Sequence, residues 1–163
     1  MLLRLKNKEY LIVDEFKFKC STGKKGLKLK KKEGDSCTPI GIFKIGKVYY
    51  RPDRIKKIDT KLKTKTIKKN MGWCDDPYNK NYNKEIVLNK KNKGEKLFRK
   101  DNAYDILIVI EYNTKKIQKF KGSAIFIHLT KNYRPTEGCI SLKKNYLLIL
   151  LKIINKNSKI EIC

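Results

Sequence analysis

Histidine is nearly absent from this chain: among 163 residues there is one, His128. Any chemistry that needs an imidazole has a single candidate. Cys-x-x-Cys pairs are absent too. The five cysteines (Cys20, Cys37, Cys74, Cys139 and Cys163) are an odd number, so neither a zinc ribbon nor a full disulfide framework is indicated. A zinc site made from His128, Cys139 and Cys74 lacks any ligand spacing, and no metal or organic cofactor is expected. Long apolar runs are missing as well. The longest, Tyr146 to Leu151, falls far short of the roughly 20 residues that a membrane span requires, so no transmembrane segment is expected. The first ten residues carry charges at about every other position around no long apolar core, and no signal peptide is recognisable there. Acidic residues are scarce, 16 against 41 lysines and arginines, for a formal charge of +25. That excess predicts attraction to polyanions whatever the fold. All but five of the 41 are lysines, however, dispersed through loops and strand faces as on a solvated surface. An RNA-binding sheet would interleave aromatics and arginines, and no such pattern is found, so no specific nucleic-acid partner is expected.

What is present suits one mainly β domain spanning 1–163: the length supports one core of ordinary size, and nothing in it repeats. Leu3 and Leu5, then Tyr10 to Val13, read as a hairpin around Lys6–Glu9, and Phe16, Phe18 and Cys20 alternate with lysines as a third strand. Ser21 to Gly26 is a turn, and Lys28 to Lys32 reads as a solvated loop. Thr38-Pro39-Ile40-Gly41 bends at a sheet edge into a strand from Ile42 to Tyr50. Arg51 to Asn70 is a long loop or irregular strands, Ile86 to Leu88 a short strand, and Lys96 to Arg99 a half-turn. Tyr104 to Tyr112 is the strongest strand, nearly unbroken Ile-Leu-Ile-Val-Ile, which predicts a central position buried on both faces. Asn145 to Ile154 is the one clear helix, apolar on most sides, and Lys159 to Ile162 a last strand. The expected fold is a curved mixed sheet or β-sandwich with that one C-terminal helix, in a monomer.

The richest stretch is Lys121 to Leu142. Ala124 to Leu129 alternates as a strand does, with Ala124, Phe126 and His128 on one face. A polar loop with Arg134-Pro135 follows, then Thr136-Glu137-Gly138-Cys139 and a new apolar run from Ile140. A thiol and an imidazole in one region can make a nucleophile and its general base, because a free thiol is only a few per cent thiolate near neutrality. Gly138 lets a substrate carbonyl approach the backbone, where successive N–H groups can receive an oxyanion. A second compact segment, Met71 to Pro77, gathers the only Trp, a thiol and two carboxylates. Trp73 is read either as a side chain packed under a loop whose Asp75 or Asp76 caps a turn, or as part of a cleft rim. On a rim the carboxylates would orient a substrate ammonium or pair with Arg134.

These residues resemble the L,D-transpeptidase catalytic domain (YkuD-like) family. The carriers are Ile127-His128 at a strand end, then Thr136-Glu137-Gly138-Cys139-Ile140 against the family's Ser/Thr-His-Gly-Cys, and Thr38-Pro39-Ile40-Gly41-Ile42-Phe43 against its Thr-Pro-x-Gly-x-Phe. Gly72-Trp-Cys-Asp-Asp-Pro77 with Tyr82-Asn83 resembles a divergent branch of it. The likeness covers roughly Phe16 to Ile162. It departs in three places: Glu137 replaces the second histidine, the loop from His128 to Thr136 is short, and Leu129 and Ser141 stand at altered flanking positions. The resemblance implies cysteine acyl transfer on peptidoglycan stem peptides outside the inner membrane, in periplasm or cell wall. Cys139 would be nucleophile, His128 base and Gly138 oxyanion-hole backbone, with Arg134, Thr136, Glu137, Trp73, Asp75 and Asp76 as candidate substrate contacts. Glu137 would either fix the Cys139 loop or raise the basicity of His128. Hydrolysis through the same thioester, and a basic non-enzymatic module in which both residues are structural, remain open alternatives.

Overall fold

A computed structural model describes residues 1–29 and 31–163. The chain opens with β1 (Leu2–Lys6), β2 (Tyr10–Val13) and β3 (Phe16–Ser21), an antiparallel meander. Its first turn places Asn7 and Lys8 at positive φ, the left-handed geometry that matches a hairpin's twist. Then come β4 (Leu27–Lys28), β5 (Thr38–Pro39), the ten-residue β6 (Gly41–Tyr50), β7 (Thr64–Thr66), β8 (Met71–Trp73), β9 (Glu85–Val87) and β10 (Glu95–Lys96). The chain closes with β11 (Ile106–Ile110), β12 (Phe126–Leu129), β13 (Ile140–Leu142), α1 (Lys144–Ile153) and β14 (Lys159–Ile162).

Nine strands form one mixed sheet in the order β11-β12-β13-β3-β2-β1-β14-β6-β7. A further pairing of β11 with β6 curls that sheet closed. The strand β6 makes closure possible because its length lets it pair with β14 at one end and with β11 and β7 at the other: Gly41–Lys44 pair with β14, Ile45–Tyr50 with β11 and Val48–Tyr50 with β7. The fold is therefore the mainly β, curved mixed sheet with one helix near the C-terminus that the sequence predicts. A three-stranded sheet, β10-β8-β9, packs outside β11 and β12.

Two cores result. Inside the curled sheet Ile106, Ile108 and Ile110 meet Leu147, Leu150 and Leu151 of α1. On the opposite face Leu107, Val109 and Phe126 meet Tyr49, Met71, Trp73, Tyr104 and Cys139. All five residues of β11 are buried, which is why its sequence shows no polar alternation. Burying a side chain such as Phe126, 0% exposed, stabilises by roughly 1.5–3 kcal/mol.

Several expectations need correction. Lys96 belongs to β10 rather than to a half-turn, because Glu95 and Lys96 pair with Trp73 and Gly72. The run Lys28 to Lys32 is not wholly solvated: Lys31 is buried, its ammonium 2.7 Å from Asp35 Oδ1. Lys30 lies outside the described residues. The strand of His128 starts at Phe126, since Ala124 sits at φ +53° and leaves the ladder. Among the described residues no helix is long and apolar enough to cross a membrane.

Candidate active site

The parallel pairing of β12 with β13 aligns Ile127 with Ile140 and His128 with Ser141. Cys139, one residue before β13, therefore falls in step with Phe126, and side chains that share a step share a face. His128 and Cys139 are diagonal neighbours on one face of adjacent strands, and both line a single cleft of about 600 Å³.

The turn that carries the thiol is tied down by its own residues and by residues 22–36. Thr136 Oγ1 donates to Cys139 O (2.5 Å) and accepts from Gly138 N–H (3.1 Å). Thr136 N–H donates to Thr22 O, and Lys24 N–H to Thr136 O, both at 2.9 Å. Glu137 takes the Ser36 hydroxyl at 2.6 Å and the Lys24 ammonium, and these partners hold its carboxyl below the usual range. The carboxylate thus fastens the loop; none of its partners belongs to the His128 strand. Gly138 has φ +138°, and a Cβ there would sit 2.7 Å from the Cys37 carbonyl oxygen, so a side chain is excluded by both backbone and space.

Cys139 is 8% exposed. Its Sγ donates to Ala124 O (3.2 Å) and accepts from Phe126 N–H (3.3 Å). Burial, and then the nearby Glu95 carboxylate, push the thiol up to about 12. His128 Nδ1 lies 2.9 Å from Leu129 O, an acceptor only, so Nδ1 carries the proton and Nε2 the lone pair. Burial pulls the imidazole down to about 4. The resting couple is therefore a neutral thiol and a neutral imidazole, and the thiol's proton is held by Ala124 O rather than by Nε2.

Two distant segments shape the site. Asn83 Oδ1 accepts from Trp73 Nε1–H (2.9 Å) and Ala124 N–H (3.0 Å), while Asn83 Nδ2 donates to Tyr112 O (3.0 Å) and Asn113 O (2.7 Å). Trp73, 6% exposed and edge-on to Phe126 at 5.2 Å, does not line the cleft. Its part is to brace, through Asn83, the backbone turn whose carbonyl holds the thiol. Asp76 caps its own turn through Tyr78 N–H (2.9 Å); Asp75 lines the cleft. Arg134 lines it as well, and among the described residues it forms no ion pair with Asp75 or Asp76.

The second segment is the loop 99–105, unforeseen in the sequence. Tyr104 stands edge-on to the His128 ring at 5.2 Å and donates its hydroxyl proton to Glu95. Arg51 and Arg54 hold this loop: Arg51 Nη1 bonds Arg99 O (2.7 Å), and Arg54 reaches Lys100 O (3.0 Å), Asp101 O (2.9 Å) and Asp105 Oδ1 (2.7 Å). Ala103 O then receives Leu129 N–H at 3.0 Å. The only sequence signal was the rarity of arginine in a lysine-rich chain: a planar fork with five donors does what an ammonium cannot.

No curated protein matches the chain in sequence. A family model does, that of the L,D-transpeptidase catalytic domain, over residues 2–162. With a strand-end His128 and a Gly138-Cys139 turn facing one cleft on a closed β sheet, and with that model matching nearly end to end, the chain belongs to the L,D-transpeptidase catalytic domain (YkuD) family.

Proposed function

We propose that this protein is a cysteine acyltransferase acting on peptidoglycan stem peptides, with Cys139 as nucleophile and His128 as general base. The observation that carries this reading is the shared face and shared cleft of the two side chains in the β12–β13 alignment. The thiol turns from Ala124 O toward the Nε2 lone pair as it attacks a substrate amide carbon. The S–H proton passes to Nε2 while the S–C bond forms, because neither partner is ionised beforehand. The new oxyanion needs a donor. Gly138 N–H is engaged by Thr136, whereas Cys139 N–H has no acceptor among the described residues and is the one available. Collapse of the tetrahedral intermediate breaks the C–N bond, and His128 returns the proton to the departing D-amino acid. An amine of a second stem peptide then attacks the thioester carbonyl, gives its proton to His128, and releases Cys139.

The substrate class implies work outside the inner membrane, in periplasm or cell wall. Mass spectrometry of the protein incubated with tetrapeptide muropeptides tests the reading. The expected result is an acyl adduct on Cys139 and cross-linked product; tetrapeptide shortening without cross-links would instead mean that water resolves the thioester. No adduct on any thiol would overturn acyl transfer.

A further inference from the structure

The far side of the closed sheet has no part in the chemistry proposed above, and the strand order fixes which side that is. β7 hangs off β6, so the other eight of the nine strands close the ring. From β12, which carries His128, four steps in either direction arrive at β1: through β13, β3 and β2 one way, and through β11, β6 and β14 the other. The cleft and the outer face of β1 therefore lie back to back.

Ladder register shows what that outer face carries. Side chains alternate across each strand, and Leu3, Leu11, Phe18 and Ile160 enter the core inside the ring. The residues between them face out in three rows. Ile42, Glu161, Arg4, Ile12 and Lys17 make the middle row; Lys44, Lys159 and Leu2 flank it on one side, and Lys6, Tyr10 and Lys19 on the other. Six cations, all exposed, thus share a face about 20 Å wide with one carboxylate, Glu161. Glu161 is already bonded to Arg4 at 3.0 Å, and among the described residues the five lysines form no ion pair. Glu9, and Asp14 with Glu15, sit on the two turns beyond the strand ends.

Charge alone would suit any polyanion. The apolar side chains in the same rows narrow the choice: Ile42 is 60% exposed, and Leu2 and Ile12 are half-buried, among cations whose long stems reach past them. A phosphate polymer offers these side chains nothing. A lipid surface takes cations at its headgroups and apolar side chains just beneath them.

We propose that the outer face of β6, β14, β1, β2 and β3 seats the protein on the surface of an anionic phospholipid bilayer, with the cleft turned away from the lipid. The seat needs no spanning segment, and it does not rest on the acyl-transfer reading. It gives the cleft a direction, outward from the membrane.

Sedimentation with vesicles of equal parts phosphatidylglycerol and phosphatidylcholine tests the seat, with pure phosphatidylcholine vesicles as reference. The unmodified protein should bind the anionic vesicles alone; failure to bind them, or equal binding to both, overturns the proposal. Lys6→Gln, Lys17→Gln, Lys19→Gln and Lys159→Gln combined should weaken binding about 10²- to 10³-fold, at about fivefold per cation. Lys68→Gln, Lys69→Gln, Lys90→Gln and Lys91→Gln remove the same charge from exposed positions beside β8 and β9, on the cleft side, and should cost under about fivefold. Equal losses from the two sets would mean attraction by net charge and overturn the face. Ile42→Thr should weaken vesicle binding severalfold and leave binding of polyphosphate unchanged. Polyphosphate held more tightly than vesicles, and lost with the first four lysines, would assign the face to a linear polyanion and overturn the bilayer.

Two cysteines report the orientation without any substitution. Cys163 is exposed and follows Ile162, the partner of Leu5, so it falls beside Lys6, whereas Cys139 lines the cleft. On anionic vesicles iodoacetamide should label Cys163 severalfold more slowly than in solution and Cys139 at an unchanged rate, read by peptide mapping. Any other pattern overturns the orientation.

Discussion

The two halves of the candidate couple are held in different ways. Cys139 sits on a turn of four residues that bonds within itself, Thr136 on Gly138 and on Cys139, and that Thr136 and Glu137 anchor to Thr22, Lys24 and Ser36. His128 sits in a regular strand, and its surroundings come from far away: Tyr104 on its ring, Ala103 on Leu129, and Arg51 and Arg54 behind both. The nucleophile is positioned by a motif that makes its own inner bonds before it is anchored from outside, the base by a tertiary clamp. Damage to the first should be local and chemical; damage to the second should appear as lost stability as well as lost rate.

The sharpest break in that comparison is Cys139→Ala, which should abolish the acyl adduct by mass spectrometry while thermal unfolding shows a retained fold. His128→Gln comes next, with acylation about 10²- to 10⁴-fold slower. Its residual rate should climb steadily with pH toward the buried thiol's value of about 12, not level off near an ordinary cysteine. In the unmodified protein the acid limb should fall near pH 4, where the imidazole gains its proton, and a limb near 6.5 would show that the half-buried His128 ring is solvated like a free imidazole. The same depression has a sign for stability. The unfolded chain binds this proton at about 6.5 and the folded one at about 4, so the contribution is complete above 6.5 and is lost as pH falls toward 4. Urea midpoints from pH 7 to 4 measure it.

Arg54→Lys keeps the charge and removes the fork, leaving the 8%-exposed Asp105 poorly paired. A loss of roughly 1–3 kcal/mol is expected, together with slower acylation, and a change in rate without a change in urea midpoint would refute the clamp. Thr136→Val frees Gly138 N–H and the Cys139 carbonyl. It should cost roughly 1 kcal/mol and lower the rate with little change in the acid limb. Glu137→Gln should do least. The carboxylate is 74% exposed and pairs with Lys24 and Ser36, so stability should change by under about 1 kcal/mol and the acid limb should not move.

The same contrast explains what could be read in advance. Thr136-Glu137-Gly138-Cys139 was legible because its chemistry is compressed into four adjacent residues, and β11 because five consecutive buried residues leave no polar alternation to confuse it. The hydrophobic pattern of α1 fixed it to within one residue at each end. The clamp was illegible since Arg51 and Arg54 meet residues 99–105 only after β6 and β11 pair, an event between segments more than 40 residues apart. Trp73 carried a visible motif whose role stayed open for the same reason: Asn83 bonds both the indole and Ala124, and only the folded chain joins those three. Tyr104 looked like the start of a strand because its ring is apolar, and nothing local distinguishes a tyrosine that faces a core from one that faces an imidazole.

The strand made last lies in the middle of the sheet. β14 is inserted between β1, with which it runs parallel, and β6, and the Lys159 N–H reaches back to Met1 O. During synthesis, then, β1 and β6 must wait with open edges through more than a hundred residues of translation, and the curled sheet has a slot in it until Lys159 to Ile162 emerge from the ribosome. The first ribosome-free moment at which every ladder can be complete comes after the Cys139 turn, the His128 strand and their supports have already been made. A nascent chain halted before Lys159 should thus be sensitive to protease along β1 and β6, and the release of four more residues should protect both edges at once.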